Sequence, residues 1–234
     1  MRTIDEIQEI IDAYNKLVGS IDTEATQSKN GRAYGGIVRA GKGKLVESIA
    51  KVLITIAWQR LKQEPNRLKI IGKQIKIPIR PEYIDSLADE IKDYIRQNIQ
   101  NYYYHYKPDI LVAIDDKPIM AVECKAYTEN AMLKRILVDA TLLKSQYPSI
   151  QFVLLQLESQ LGGDFSQLKD VTYGSPATHT LLSYFDVDLN IITLLKGERR
   201  VDRPIHKAKF FKPLMRSHLE IAVKTILGIL QEFI

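Results

Sequence analysis

The stretch Lys107-Pro108-Asp109-Ile110-Leu111-Val112-Ala113-Ile114, followed by Pro118-Ile119-Met120-Ala121-Val122-Glu123-Cys124-Lys125, decides the fold. Each half is rich in Ile, Val or Leu and is bounded by Pro or charged residues, the pattern of a strand. Between them Asp115-Asp116-Lys117 is a short polar run suited to a tight turn. Together they predict a β-hairpin at the heart of a sheet. Side chains at i and i+2 of a strand share a face, so Glu123 and Lys125 point one way and Cys124 the other. A buried sheet gains nothing from Asp, Glu and Lys on such strands, because desolvated ions are costly unless paired or metal-bound. Register decides whether Asp109 joins them. A two-residue turn at 116–117 pairs Asp109 with Cys124 and leaves it on the wrong face; a three-residue turn at 115–117 pairs it with Glu123. One residue of slip flips every side chain, so an odd loop, or a bulge that restores the same phase, is expected.

Pro108-Asp109 followed by Glu123-x-Lys125 resembles the signature of the PD-(D/E)xK nucleases. That superfamily includes most type II restriction endonucleases and several repair and recombination nucleases. The resemblance implies a restriction-endonuclease-like fold and Mg²⁺-dependent hydrolysis of phosphodiester bonds. On the matching positions it implies that Asp109 and Glu123 hold Mg²⁺, with the backbone carbonyl of Cys124 as a further ligand, hard oxygen donors for a hard cation. Lys125 would orient the attacking water and stabilise charge. Many restriction enzymes of the superfamily carry an additional glutamate on a helix ahead of the Pro-Asp strand. Glu47 has that place and is a fourth candidate catalytic residue; its other reading is an acid at the positive end of its helix.

A chain of 234 residues fits a single nuclease domain over 1–234. A net charge of +5 favours an anionic partner. One cysteine excludes an internal disulfide framework and a multi-cysteine zinc site, and fits a reducing, cytoplasmic setting. No apolar run reaches membrane-spanning length, and the acidic, amphipathic start at 1–9 is unlike a signal peptide.

Apolar spacing predicts a first helix over 3–18, with Thr3 as N-cap and Gly19 as stop, and a strongly apolar helix over 45–61. Residues 69–79 read as a strand or extended arm, and Pro81 opens a helix to about 97. The run Tyr102-Tyr103-Tyr104-His105-Tyr106 reads as packing tyrosines, or as a surface for stacked bases. After the hairpin come a helix over 131–144, strands over 152–157 and 189–195, a short helix near 178–184 and a last helix over 216–233. The class expected is α/β (α+β), a central mixed sheet of about four strands flanked by helices on both faces.

Two basic segments remain. Residues 20–44 form a glycine-rich stretch, read as a loop, with Arg32, Arg39, Lys42 and Lys44 as candidate phosphate contacts. Residues 196–216 carry Arg199, Arg200, Arg203, Lys207 and Lys209, a charge density beyond what a fold requires. The three arginines follow a strand and suit groove and base-edge contacts. The function expected is sequence-specific cleavage of double-stranded DNA by a homodimer. Alternatives are a structure-selective repair or junction-resolving nuclease, and a DNA-binding module with an inert motif.

Overall fold

A computed structural model describes residues 5–26, 31–72, 74–166 and 174–234, and no side chain between 21 and 40. Along the chain, α1 (Glu6–Thr26) and α2 (Gly31–Arg60) precede β1 (Leu68–Ile71) and β2 (Ile75–Pro78). Then α3 (Pro81–Asp85) and α4 (Asp89–Gln97) lead to β3 (Tyr103–Tyr106), β4 (Ile110–Ile114) and β5 (Lys117–Glu129). After α5 (Asn130–Lys144) come β6 (Gln151–Gln160), α6 (Pro176–Ser183), β7 (Leu189–Thr193) and α7 (Arg216–Gln231). Five strands form a mixed sheet in the order β1-β4-β5-β6-β7, and β2 pairs separately with β3. The β1, β4 and β5 pairings are antiparallel; β5, β6 and β7 run parallel. No helix among the described residues is long and apolar enough to cross a membrane.

Alternation along the strands builds two cores. Ile110, Val112, Ile114, Val122 and Cys124 face the helices α1, α2 and α7. Leu111, Ala121, Phe152 and Leu154 face α5 and the small sheet. Helices thus cover both faces, as a buried mixed sheet requires.

The central hairpin turns on Asp115 and Asp116, whose φ of 49° and 67° put both in the left-handed region that a type I′ turn requires. The loop is therefore two residues, not three, pairing Ile114 with Lys117. A register shift follows between Val112 and Ala113: Ala113 pairs with Pro118, but Val112 pairs with Met120. Ile119 is the extra residue of a β-bulge, and the consecutive Ile119 and Met120 both lie in the α1–α2–α7 core. The bulge restores the phase that an odd loop would give. Pro118, which has no N–H to offer a ladder, sits at this irregular point. Arg67, just ahead of β1, and Lys69 within it hold the turn: Arg67 Nη2 is 2.7 Å from Asp115 Oδ2 and Lys69 Nζ is 2.5 Å from Asp116 Oδ1.

Several expectations are corrected. The sheet has five strands rather than about four, because the arm over 69–79 divides around Gly72 and its first half joins β4. The first helix runs through Gly19 to Thr26; Thr3 lies outside the described residues. The stretch 20–44 is not a loop but helical except for 27–30, which lie outside the described residues. Each glycine weakens a helix by only about 1 kcal/mol relative to alanine, and extension from the apolar segment after Leu45 adds one backbone hydrogen bond per residue fixed. The helix expected over 81–97 breaks between Asp85 and Asp89, where Ser86 caps α3.

The turn yields a prediction. Asp116→Gly removes the left-handed strain of a residue with a Cβ, about 1 kcal/mol, and loses only an exposed ion pair. Its urea midpoint should rise with an unchanged slope, whereas Asp116→Val should lower it; a lowered midpoint for the glycine variant would contradict the turn assignment.

Candidate active site

The corrected register, continued one residue past the end of β4, sets Asp109 opposite Glu123. Residues opposite one another in an antiparallel pair share a face. Lys125, two residues on from Glu123, joins them. Its Nζ is 2.9 Å from Asp109 Oδ2 and 2.7 Å from Glu123 Oε2. The backbone N–H of Cys124 donates to the same Asp109 Oδ2 at 2.7 Å. Glu123 Oε1 accepts a hydrogen bond from the Tyr106 hydroxyl at 2.7 Å. The three side chains are 16–30% exposed, so they are shielded but open to a ligand.

Electrostatics follow from that half-burial. Desolvation pushes the Glu123 carboxyl above the usual carboxylate range; the Lys125 charge pulls it back and the Asp109 charge adds to the rise. Desolvation works against the Lys125 ammonium, but Glu123 and Asp109 outweigh it and hold its pKa above the ordinary lysine value. Burial, with the Glu123 charge beside it, raises the Tyr106 phenol far above its usual value, so it stays a donor. Cys124 faces the opposite core, and burial drives its thiol far up, leaving it a packing residue.

A cavity of about 390 Å³ opens over the three residues, bounded also by Tyr104, His105, Lys107, Met132, Arg135 and Asp139. Two carboxylates and an adjacent main-chain edge offer hard oxygen donors, the set that suits a hard divalent cation rather than a soft metal. Among the described residues no three His, Cys, Asp or Glu side chains converge as a ready-made metal cluster. Any ion here would take its remaining ligands from water or from phosphate.

The other candidates scatter. Glu47 stands in the middle of α2, not in its first turn, so the helix-end reading fails. It lies close enough to Cys124 for its charge to act on that thiol. Lys42 is buried, with Nζ 3.4 Å from His206 Nδ1, and burial lowers its pKa to about 8. Its expected phosphate contact does not fit that place. Lys44 is exposed; the side chains of Arg32 and Arg39 lie outside the described residues. Arg200, Arg203 and Lys209 are exposed and Lys207 is half-buried. Arg200 and Arg203 edge a second cavity of about 440 Å³ with Lys196, Phe210 and Phe211. Arg199 turns instead toward β5, its guanidinium 3.7 Å from the Tyr127 ring centre. The residue that the sequence reading missed is Tyr106. Its signal was a hydroxyl-bearing aromatic three residues before Asp109, read only as packing or stacking.

No family model matches the chain. Over 235 residues it is 50% identical to the type II restriction enzyme DdeI of Desulfomicrobium norvegicum, covering 98% of this chain and 96% of that one. Among solved structures it is similar to the native BbvCI A2B2 tetramer at low resolution. That likeness has 12% identity, 97% coverage of this chain, 89% of the other and a TM-score of 0.37.

The raised Glu123 carboxyl sets a pH dependence. Its folded pKa lies above its unfolded value, so the folded state loses stability as pH rises and the carboxyl ionises. In metal-free buffer Glu123→Gln should melt higher than the unsubstituted chain at pH 8, and the gap should close as pH falls below 4.5. A gap that is the same at both ends would disprove the burial effect.

Proposed function

This chain belongs to the type II restriction enzymes, and we infer from that membership and from the site that it cleaves double-stranded DNA at a specific sequence by hydrolysing phosphodiester bonds. The observation that carries the catalytic assignment is the pair of carboxylates, Asp109 and Glu123, meeting one lysine in a half-open cavity. Family membership makes the inert-module reading and the structure-selective one unnecessary.

Mg²⁺ is the cofactor in this reading, held by Asp109, Glu123 and the backbone carbonyl of Cys124. The N–H and C=O of one residue point to the same strand edge, and the Cys124 N–H meets Asp109 on that edge. Bound there, Mg²⁺ would supply Lewis-acid polarisation of the phosphate and neutralise charge on the leaving oxygen. Lys125 orients the attacking water and offers a fixed positive charge to the developing pentacovalent phosphorus. Its raised pKa keeps it protonated, which suits a donor better than a proton acceptor. The Tyr106 hydroxyl fixes Glu123 by binding the oxygen that Lys125 leaves. Glu47, on the α2 side of the sheet near Cys124, keeps its place only as a candidate supporting carboxylate and not as a direct ligand. Lys44, Lys207 and Lys209 meet phosphates, while Arg200 and Arg203 read bases; Arg32 and Arg39 keep their place as candidate phosphate contacts.

Two strands need two active sites, so the enzyme works as a homodimer on a near-symmetric target. The whole chain, 1–234, serves as one nuclease domain. It works in the cytoplasm, where its one thiol stays reduced.

Plasmid digestion tests the reading. With Mg²⁺ discrete fragments should appear, and with EDTA none. Asp109→Ala, Glu123→Ala and Lys125→Ala should each lower cleavage by about 10³-fold or more, with DNA binding in Ca²⁺ largely kept. Near-normal cutting by Lys125→Ala would remove the assignment. Recognition separates by a second measurement. Lys44→Gln should weaken binding to any duplex and reduce its salt dependence, whereas Arg203→Gln should narrow the difference between target and non-target DNA. Equal loss on both DNAs from Arg203→Gln would make it a backbone contact.

A further inference from the structure

Helix α5 presents Met132, Arg135, Ile136 and Asp139 to the cavity over Asp109, Glu123 and Lys125. Offsets of three, four and seven residues put these four on one helix face. Ile136 belongs to the core beneath the helix. Arg135 does not: its side chain is 84% exposed, and its Nε stands 3.9 Å from Asp139 Oδ2. That separation is beyond a hydrogen bond, and an arginine four residues ahead of an aspartate is the weaker order for such a pair. Among the described residues the guanidinium donates no hydrogen bond. Asp139 is the better fixed partner. Its side chain is 14% exposed, and its Oδ1 accepts a hydrogen bond from the Tyr104 hydroxyl at 3.3 Å. An anchored acid thus draws a loose guanidinium to the cavity wall and leaves its donors open.

The charges of the cavity call for such a group. Three carboxylates line it, those of Asp109, Glu123 and Asp139. Lys125 answers the first two. Asp139 faces an incoming phosphate with like charge unless Arg135 covers it. Lys107 also lines the cavity and has no hydrogen bond or ion pair among the described residues. It is, however, a point charge on a flexible stem, with no carboxylate to aim it. A guanidinium offers a planar fork that matches two phosphate oxygens. We propose that Arg135 reaches from α5 to the non-bridging oxygens of the scissile phosphate and stabilises the charge that grows on them as phosphorus becomes pentacovalent. This rests on the nuclease reading above, and adds a substrate contact from a helix to those made by the strands. Since that charge is greatest in the transition state, Arg135 acts on rate more than on affinity.

The test is single-turnover cleavage in Mg²⁺ of a short duplex carrying the enzyme's own site, deduced from the ends of its plasmid fragments. Cutting by the unsubstituted enzyme is the control; its absence would overturn the nuclease reading itself. Arg135→Gln should cut about 100-fold more slowly at saturating DNA, the size expected for one lost charge-stabilising donor. Its affinity for the duplex in Ca²⁺ should be nearly unchanged, and so should its urea midpoint, because an exposed ion pair contributes little to stability. Arg135→Lys, which keeps the charge without the fork, should recover part of the rate. Single phosphorothioates, as separate stereoisomers, then locate the contact at the scissile phosphate or at the phosphates one step to either side. At the scissile position one stereoisomer should slow the unsubstituted enzyme yet have no further effect on Arg135→Gln. Arg135→Met, which keeps the apolar stem, carries the same comparison if the glutamine variant does not fold. Near-normal cutting by Arg135→Gln, or a loss of affinity as large as the loss of rate, would overturn the proposal. So would sulfur effects that multiply with the substitution at every position, or that vanish only at a neighbouring phosphate.

Discussion

The ammonium of Lys125 lies between two carboxylates, and the rest of the site depends on that contact. Asp109 and Glu123 carry like charges on adjacent strands, and half-burial makes each charge dearer than in water. Without the lysine, their repulsion would go unopposed. With it, the three settle into a single arrangement in which the second Glu123 oxygen is also engaged. The Tyr106 hydroxyl binds the far oxygen of Glu123, and the Cys124 N–H shares Asp109 Oδ2 with the lysine. Such clusters add little stability, because desolvation offsets most of the attraction. An apolar trio of similar size would serve the fold at least as well. The arrangement makes sense as chemistry, in which fixed donors and acceptors face an open cavity.

That contact exists only because of a register constraint some distance away. The type I′ turn at Asp115 and Asp116 matches the strand twist but, extended regularly, would set Asp109 opposite Val122. Ile119 bulges out of the ladder and corrects the phase by one residue. The correction is tolerated because both Ile119 and Met120 find room in the core beneath α1, α2 and α7. Arg67 and Lys69 then anchor the turn from β1. A backbone irregularity at Ile119, ten residues from Asp109 along the chain, thus decides whether a carboxylate reaches the lysine.

Much of this was legible in the sequence. Alternation in the two halves of the hairpin gave the strands, and the i, i+2 spacing gave the shared face of Glu123 and Lys125. The need for Asp109 on that face gave the choice of an odd loop or a bulge. Which of the two occurs was not legible, since it depends on whether the core can accept an extra isoleucine. The helical state of 31–44 was hidden by its glycines, whose low propensity is overridden by extension from the apolar segment that follows. The division of 69–79 was hidden because each half pairs with a strand distant in sequence, β1 with β4 and β2 with β3. The partnership of Tyr106 with Glu123 needs that second pairing, so no local pattern could give it.

The basic segment after β7 illustrates a different limit. Its positive charge looked surplus to the fold, yet part of it is used internally. Glu158 is 3% exposed near the end of β6, and a carboxylate so placed must be paired. Lys212 pairs with it at 2.9 Å and also donates to the backbone carbonyl of Glu198 at 3.1 Å, tying the segment down. The Tyr14 hydroxyl donates to the Lys212 carbonyl at 2.6 Å, adding a tie to α1. Lys42 comes in from α2 toward His206, within reach of the same acid's charge. One buried glutamate therefore draws lysines from two separate basic stretches inward and holds the segment against the sheet. The cations left over, which no carboxylate in the core demands, include Lys196, Arg200, Arg203 and Lys209 in the open, and Arg199 on its tyrosine. Charge that folding does not consume is the charge left at the surface, and in this chain a single acid on β6 draws much of that boundary.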